Sequence, residues 1–232
     1  MHSSVVPQKL TLNVTRLMMV PFVKETTDAD GQKTLGAVAL GFLLSHKGGK
    51  YVITAGHVAK ESEELGIQFK SGTIWLKDEI ANPELGWSYH DDEVIDLAAL
   101  RLKPDGKYEG KIFLPEEQLI PSTSINLGDD VIFGSLPLLK PDPIVLRRGM
   151  VAHIQQEGFV IDGQVFPGSS GSPAFLYERP LKFVGIVVAY VPYKDVAVSQ
   201  QTGETRVVFV ENSGLGHVHT TDSVLELLKR AT

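Results

Sequence analysis

Three short segments carry side chains that could do chemistry together. In chain order they are Ile53-Thr54-Ala55-Gly56-His57-Val58, Val94-Ile95-Asp96-Leu97-Ala98-Ala99-Leu100, and Phe166-Pro167-Gly168-Ser169-Ser170-Gly171-Ser172-Pro173. Singly, each has an ordinary reading: a structural histidine after a strand, a turn aspartate, a flexible Gly/Ser loop. Together they supply what acyl transfer to a serine requires: a base for the hydroxyl proton, a carboxylate that fixes the tautomer of that base, and backbone donors aimed at the developing oxyanion. On this reading His57 is the base, Asp96 the orienting carboxylate and Ser170 the nucleophile. Glycines at 168 and 171 let the chain turn sharply enough for the Gly168 and Ser170 amides to face one cavity as an oxyanion hole. His217 and His219 lie two apart, hence on one face of a strand, but no third ligand stands near them, so no metal site is expected. The chain has no cysteine, which excludes a thiolate nucleophile and a zinc-thiolate centre.

Short apolar runs between Gly, Pro, Asp and Asn read as antiparallel strands that position these groups: Thr11 to Val14, Gly41 to Leu44, Tyr51 to Thr54, Ile67 to Lys70, Thr73 to Leu76, Leu97 to Leu102, Val131 to Phe133, Gly149 to Gln155, Phe183 to Ala189 and Val207 to Val210. Gly48-Gly49 should close the hairpin that delivers His57, and Asp28 to Gly31 marks a further turn. The Pro-rich stretch Lys103 to Asn126 reads as a connection between two β halves, at about 1–110 and 126–220, of one domain spanning 1–232. A helix is predicted over 222–230, with Ser223 and Glu226 as a capping box and Val224, Leu225, Leu227 and Leu228 as its apolar stripe. Trp75 and Trp87 are expected to pack the first half.

Composition narrows the partners. With 43% hydrophobic residues and 22 glycines among 232, the chain has enough apolar surface for a core and too many turn formers for a helical array. A net charge of −6 argues against nucleic acid or anionic membranes as partners. No apolar stretch approaches the roughly 20 residues of a membrane-spanning helix. No signal peptide is read at the N-terminus, which points to the cytoplasm.

The order His, Asp, Ser in these segments resembles the chymotrypsin-like serine proteases, closest to the protease domain of the bacterial HtrA type without the peptide-binding domain that follows it there. Gly41 to Leu44, Gly128 to Gly134, Gly149 to Val151, Val184 to Val187 and Leu215-Gly216 carry the resemblance further along the chain. It implies an all-β, chymotrypsin-like fold of two six-stranded antiparallel barrels with a short C-terminal helix, and a serine endopeptidase working through a His-Asp-Ser triad and an acyl-enzyme. It implies a peptide or protein substrate, no cofactor, and leaves room for a regulatory protein in trans. The strand Val188-Ala189-Tyr190 would pair with the substrate backbone. The pocket for the residue before the scissile bond (P1) would be walled by Gln164, Val165, Phe166, Val188, Ala189, Tyr190, Gly216 and Val218, with no charge, favouring a small or apolar P1 residue. Ser169 stands where trypsin-type zymogens bury an aspartate, and Ser172 replaces a glycine, a change expected to stiffen the loop. A catalytically silent, peptide-binding relative is the alternative.

Overall fold

The computed structural model describes residues 12–27, 30–61, 65–69, 72–76, 86–136 except 105, 107 and 109, 144–178 and 180–231. Residues 28 and 29 of the expected turn at 28–31 lie outside them. The first half comprises α1 (Leu12–Leu17), β1 (Met19–Thr27), β2 (Lys33–His46), β3 (Gly49–Ala55), α2 (Gly56–Lys60), β4 (Leu65–Phe69), β5 (Gly72–Trp75), β6 (Trp87–Tyr89) and β7 (Leu97–Leu102). The connection carries β8 (Leu114–Pro115), and the second half β9 (Asp130–Ser135), β10 (Val145–Ile154), β11 (Gly158–Asp162), β12 (Ser172–Leu176), β13 (Lys182–Val198), β14 (Thr205–Thr220) and α3 (Thr221–Leu228). Strands β10-β11-β14-β13-β12-β9 close into a six-stranded antiparallel barrel. The first half is an eight-stranded sheet of order β5-β4-β1-β2-β3-β7-β6, with β8 parallel to β2.

Local chemistry accounts for the hairpin that carries the histidine. Its two-residue turn is Lys47-Gly48, one position earlier than the Gly48-Gly49 pair expected, and both residues have positive φ, 45° and 75°, as a type I′ turn requires. Gly49 is instead the first residue of β3, where a Cβ would stand 2.7 Å from the Tyr51 ring. Of the strand expected at Thr11 to Val14, residue 11 lies outside the described residues and the rest belongs to α1, docked through the Arg16 guanidinium on the Ile144 carbonyl at 3.1 Å; tertiary contact overrides a weak local preference. The Ser223/Glu226 capping box does not form, because α3 starts at Thr221 and Ser223 is buried inside it, while Val224, Leu227 and Leu228 face the core as expected.

The two halves share one apolar core. Phe42 of β2 stacks on Phe183 of β13 with centroids 4.7 Å apart, and Phe175 of β12 meets both edge-on at 6.3 and 5.8 Å. Trp87 packs edge-on against Phe22 at 6.4 Å within the first half. A second cluster, including Phe133, Phe159, Val165, Val187 and Val218, fills the closed barrel. Beyond it, β13 and β14 continue as a two-stranded ribbon, Tyr193↔Glu211 to Val198↔Thr205. Because Phe183 bridges the halves, Phe183→Ala is expected to cost about 3–5 kcal/mol. Urea unfolding should show one shifted transition for the whole chain; a split transition with an unmoved first half would contradict the shared core.

Candidate active site

His57 and Asp96 meet because they follow and precede a paired ladder. The β3 and β7 pairing ends at Ala55↔Leu97, and the Gly56 amide then donates to the Asp96 carbonyl at 3.0 Å. One residue further, the His57 backbone N–H donates to Asp96 Oδ1 at 2.8 Å and His57 Nδ1 bonds Oδ2 at 2.6 Å. A side chain at position 56 would put its Cβ 2.7 Å from Asp96 Oδ1, so the glycine leaves the carboxylate its space. With Nδ1–H donating to the carboxylate, Nε2 is the nitrogen left to accept a proton. The Asp96 hydrogen bond raises the His57 pKa above its ordinary 6.5 against the opposing effect of burial. Burial pushes the Asp96 carboxyl up, but the His57 hydrogen bonds and charge outweigh it and hold the group below 3.8.

Ser170 stands at the crest of two consecutive turns. Ser169 N–H closes the first on the Phe166 carbonyl at 2.9 Å, with Pro167 second and Gly168 third at φ 90°, the type II signature. Ser172 N–H closes the second on Ser169 at 3.0 Å, with Gly171 third at φ 81°. The loop is fastened to both halves: the Leu40 amide of β2 donates to the Ser170 carbonyl at 2.9 Å, and the Gly171 amide donates to Val187 of β13 at 2.8 Å. A Cβ at Gly171 would lie 1.8 Å from the Leu40 carbonyl oxygen and 2.2 Å from Thr54 Oγ1, so no other residue fits. Neither the Gly168 nor the Ser170 amide donates to a protein acceptor among the described residues.

The two serines that depart from the family pattern are both buried and paired. Ser169 Oγ donates to Ser135 Oγ at 3.0 Å and accepts from the Phe166 amide at 3.3 Å. Ser172 Oγ accepts from the Gly134 amide at 2.5 Å and donates to the Pro173 carbonyl at 3.2 Å, tying β12 to β9.

A cavity of about 340 Å³ brings His57, Gly168 and Ser170 together with Val165, Phe166 and Val188 to Tyr190. Three residues expected in its wall are elsewhere. Gln164 is exposed and borders a different depression, with Arg148 and Asp162. Gly216 is covered by Val165, whose Cγ2 would stand 2.3 Å from a Cβ there, and Val218 is buried in the barrel core behind it. Val165 thus occupies the depth that these residues would otherwise line. The Ser170 hydroxyl donates to the Val188 carbonyl at 3.1 Å and forms no hydrogen bond with His57.

Residues outside the expected set also reach the site. Arg147 lies over the Phe166 ring at 4.6 Å. His219, which the sequence pairs with His217 but assigns no role, accepts the Asp96 backbone N–H on Nε2 at 3.0 Å, and its Nδ1 bonds the Glu157 carbonyl at 3.1 Å. Both ring nitrogens are therefore committed. Nothing local in the sequence announces a contact that spans 123 positions.

A closed β-barrel joined to a second sheet, with a cavity lined by a serine and by a histidine that an aspartate bonds, is the arrangement of the chymotrypsin-like class of serine proteases. The trypsin-like peptidase domain model matches residues 39–186, and the chain belongs to that family. Among solved structures it is similar to the HtrA-type protease AlgW with a decapeptide (16% identity, TM-score 0.56, 94% of this chain and 64% of that one) and to the same protease with a tripeptide (17%, 0.55, 94% and 60%). The chain thus spans less than two thirds of either protein's length. No curated protein matches the sequence.

The overlap that a Cβ at Gly171 would make with Leu40 and Thr54 makes Gly171→Ala a sharp test of the loop. Because a displacement of about 1 Å at a reacting group can cost about 10²-fold in rate, reaction of Ser170 with a fluorophosphonate should slow by about that factor. Circular dichroism should still report a folded β protein. Labelling at the parent rate would show that the clamp does not fix the serine.

Proposed function

We propose that this domain is an endopeptidase that cleaves polypeptides through an acyl-enzyme on Ser170, with His57 and Asp96 as its partners and a small or medium uncharged P1 residue. The observation that carries this reading is the two-point bond between His57 and Asp96 beside the cavity that Ser170 lines. When a peptide carbonyl enters, Ser170 Oγ turns from Val188 toward His57, gives its proton to Nε2 and bonds the carbonyl carbon. The negative oxygen that forms is met by the Gly168 and Ser170 amides, each such donor being worth about 2.7–4 kcal/mol in comparable sites. His57 then passes the proton to the leaving amine as the C–N bond breaks, and water hydrolyses the remaining ester by the same route in reverse. Asp96 keeps the imidazole in the required tautomer and stabilises the imidazolium throughout.

The P1 reading follows from the walls. Val165, Phe166, Ala189 and Tyr190 give the cavity a mostly apolar wall, and among the described residues its charged lining groups are Lys24 and Glu61. The neighbouring edge Val188 to Tyr190 would add the substrate as a further strand. One observation favours a second reading, a peptide-binding domain without turnover: the Ser170 hydroxyl is bonded to Val188 and not to His57.

Fluorophosphonate labelling separates the two. Modification at Ser170, abolished in Ser170→Ala, is expected; an unlabelled wild type would sink the catalytic reading. The labelling rate should fall as the pH drops, with a midpoint above 6.5, because only neutral His57 accepts the proton and Asp96 raises its pKa. Asp96→Asn should move that midpoint down. In a peptide library, Ala, Val or Leu should dominate at P1; dominance of Lys or Arg would overturn the pocket assignment.

A further inference from the structure

Asp96 is held from both halves, and the second hold is a histidine. Its carbonyl is bonded by Gly56 of the first half, but its amide falls outside the β3–β7 ladder and would have no ladder partner. The preceding residues form a tight turn, with Ile95 N–H on the Asp92 carbonyl at 3.0 Å and Leu97 N–H on the Ile95 carbonyl at 2.9 Å, so Asp96 sits at a bend rather than in a sheet. His219 reaches across from β14 and takes that amide at 3.0 Å. It is 8% exposed, and its position is set independently by β14, which pairs His219 with Gly158 on one side and Ile186 on the other.

We propose that His219 is a positioning residue for the Asp96–His57 pair: its neutral, Nδ1-protonated imidazole anchors the Asp96 backbone and so sets where the carboxylate meets His57. This rests on the reading of Asp96 as the orienting carboxylate. The tautomer follows from the partners alone, since a carbonyl on Nδ1 requires a proton there and an amide on Nε2 requires a lone pair. Burial lowers the His219 pKa below 6.5, partly offset by the Glu157 carbonyl and by Asp96, so the accepting form persists at neutral pH. The other titratable groups facing it are His217 and His90, whose charges would oppose a second proton on its ring. A threonine or leucine here would fill the space without accepting from Asp96.

Two amide substitutions dissect the contacts. Asparagine places its terminal group near the former Nδ1 and can meet Glu157 but falls short of Asp96; glutamine reaches the former Nε2 and can accept from Asp96. His219→Asn is expected to slow fluorophosphonate labelling of Ser170 by about 10²-fold, and His219→Gln to restore most of it. A structural role alone would not move the second readout, the His57 titration followed by NMR in the unliganded protein: in His219→Asn the His57 pKa should drop toward 6.5, and in His219→Gln it should stay raised. Thermal melts of both variants establish that they fold. Equal labelling and an unmoved His57 titration in His219→Asn would overturn the proposal. If the wild type is not labelled at all, the catalytic reading fails by itself, and the NMR titration still decides whether His219 positions the pair.

Discussion

Two backbone hydrogen bonds on adjacent residues, made to opposite halves of the molecule, constrain everything else in the site. The Ser170 carbonyl is tied to Leu40 of β2 and the Gly171 amide to Val187 of β13, so the crest of the loop cannot shift without separating the halves or breaking a bond to one of them. The approach is close enough that only a hydrogen fits where the Gly171 side chain would be. Such packing is stable because the halves already share the core of Phe42, Phe175 and Phe183 directly beneath. Hydrophobic burial brings the sheets together, and the two directional bonds convert that adhesion into a defined position for a hydroxyl.

Charge is placed by the same economy of ladder ends. His57 and Asp96 both stand one step outside a paired segment, where backbone groups are left over and side chains are free to bond them. Asp96 uses one oxygen on the His57 amide and the other on the ring, so the carboxylate fixes both the course of the chain and the tautomer of the imidazole. The pair remains partly solvated, with side-chain exposures of 51% and 34%, which keeps desolvation from neutralising it while the short contact still shifts both groups toward their charged forms.

The three chemistry-bearing segments were legible in the sequence because each sets one reactive residue type at the end of an apolar strand run or among turn formers: His57 after Gly56, Asp96 before Leu97 to Leu100, and Ser170 between Gly168 and Gly171. The Val, Ile and Leu runs of β3, β7, β9 and β13 were legible for the usual reason that strands buried on both faces read as continuous apolar stretches. What could not be read depends on long-range placement. Strands β11 and β12 are short and carry Gly158, Asp162 or Pro173, which masks their period. The helix at Leu12–Leu17 is stabilised by a contact 128 positions away, and the cavity wall expected at Gln164, Gly216 and Val218 depends on how Val165 packs over Gly216, which no local pattern shows.

Strand β13 shows how little separates these outcomes. Its pairing with β14 runs Val187↔Val218 and then Ala189↔His217, leaving Val188 as the extra residue of a bulge. In an unbroken ladder the carbonyl of a residue at that position could be spent on the neighbouring strand; displaced by the bulge, Val188 turns its carbonyl to Ser170. The same shift lets the residues on either side do different work: Val187 holds Gly171, while Ala189 and Tyr190 border the cavity. On the opposite strand, the residues paired just before the bulge are Val218, buried in the barrel, and His219, which bonds Asp96. Since side chains alternate with a period of two, a slip of one residue in this pairing would exchange the faces and remove the serine's acceptor, the cavity wall and the Asp96 anchor together. The bulge is therefore as much a part of the site as His57 and Ser170 themselves.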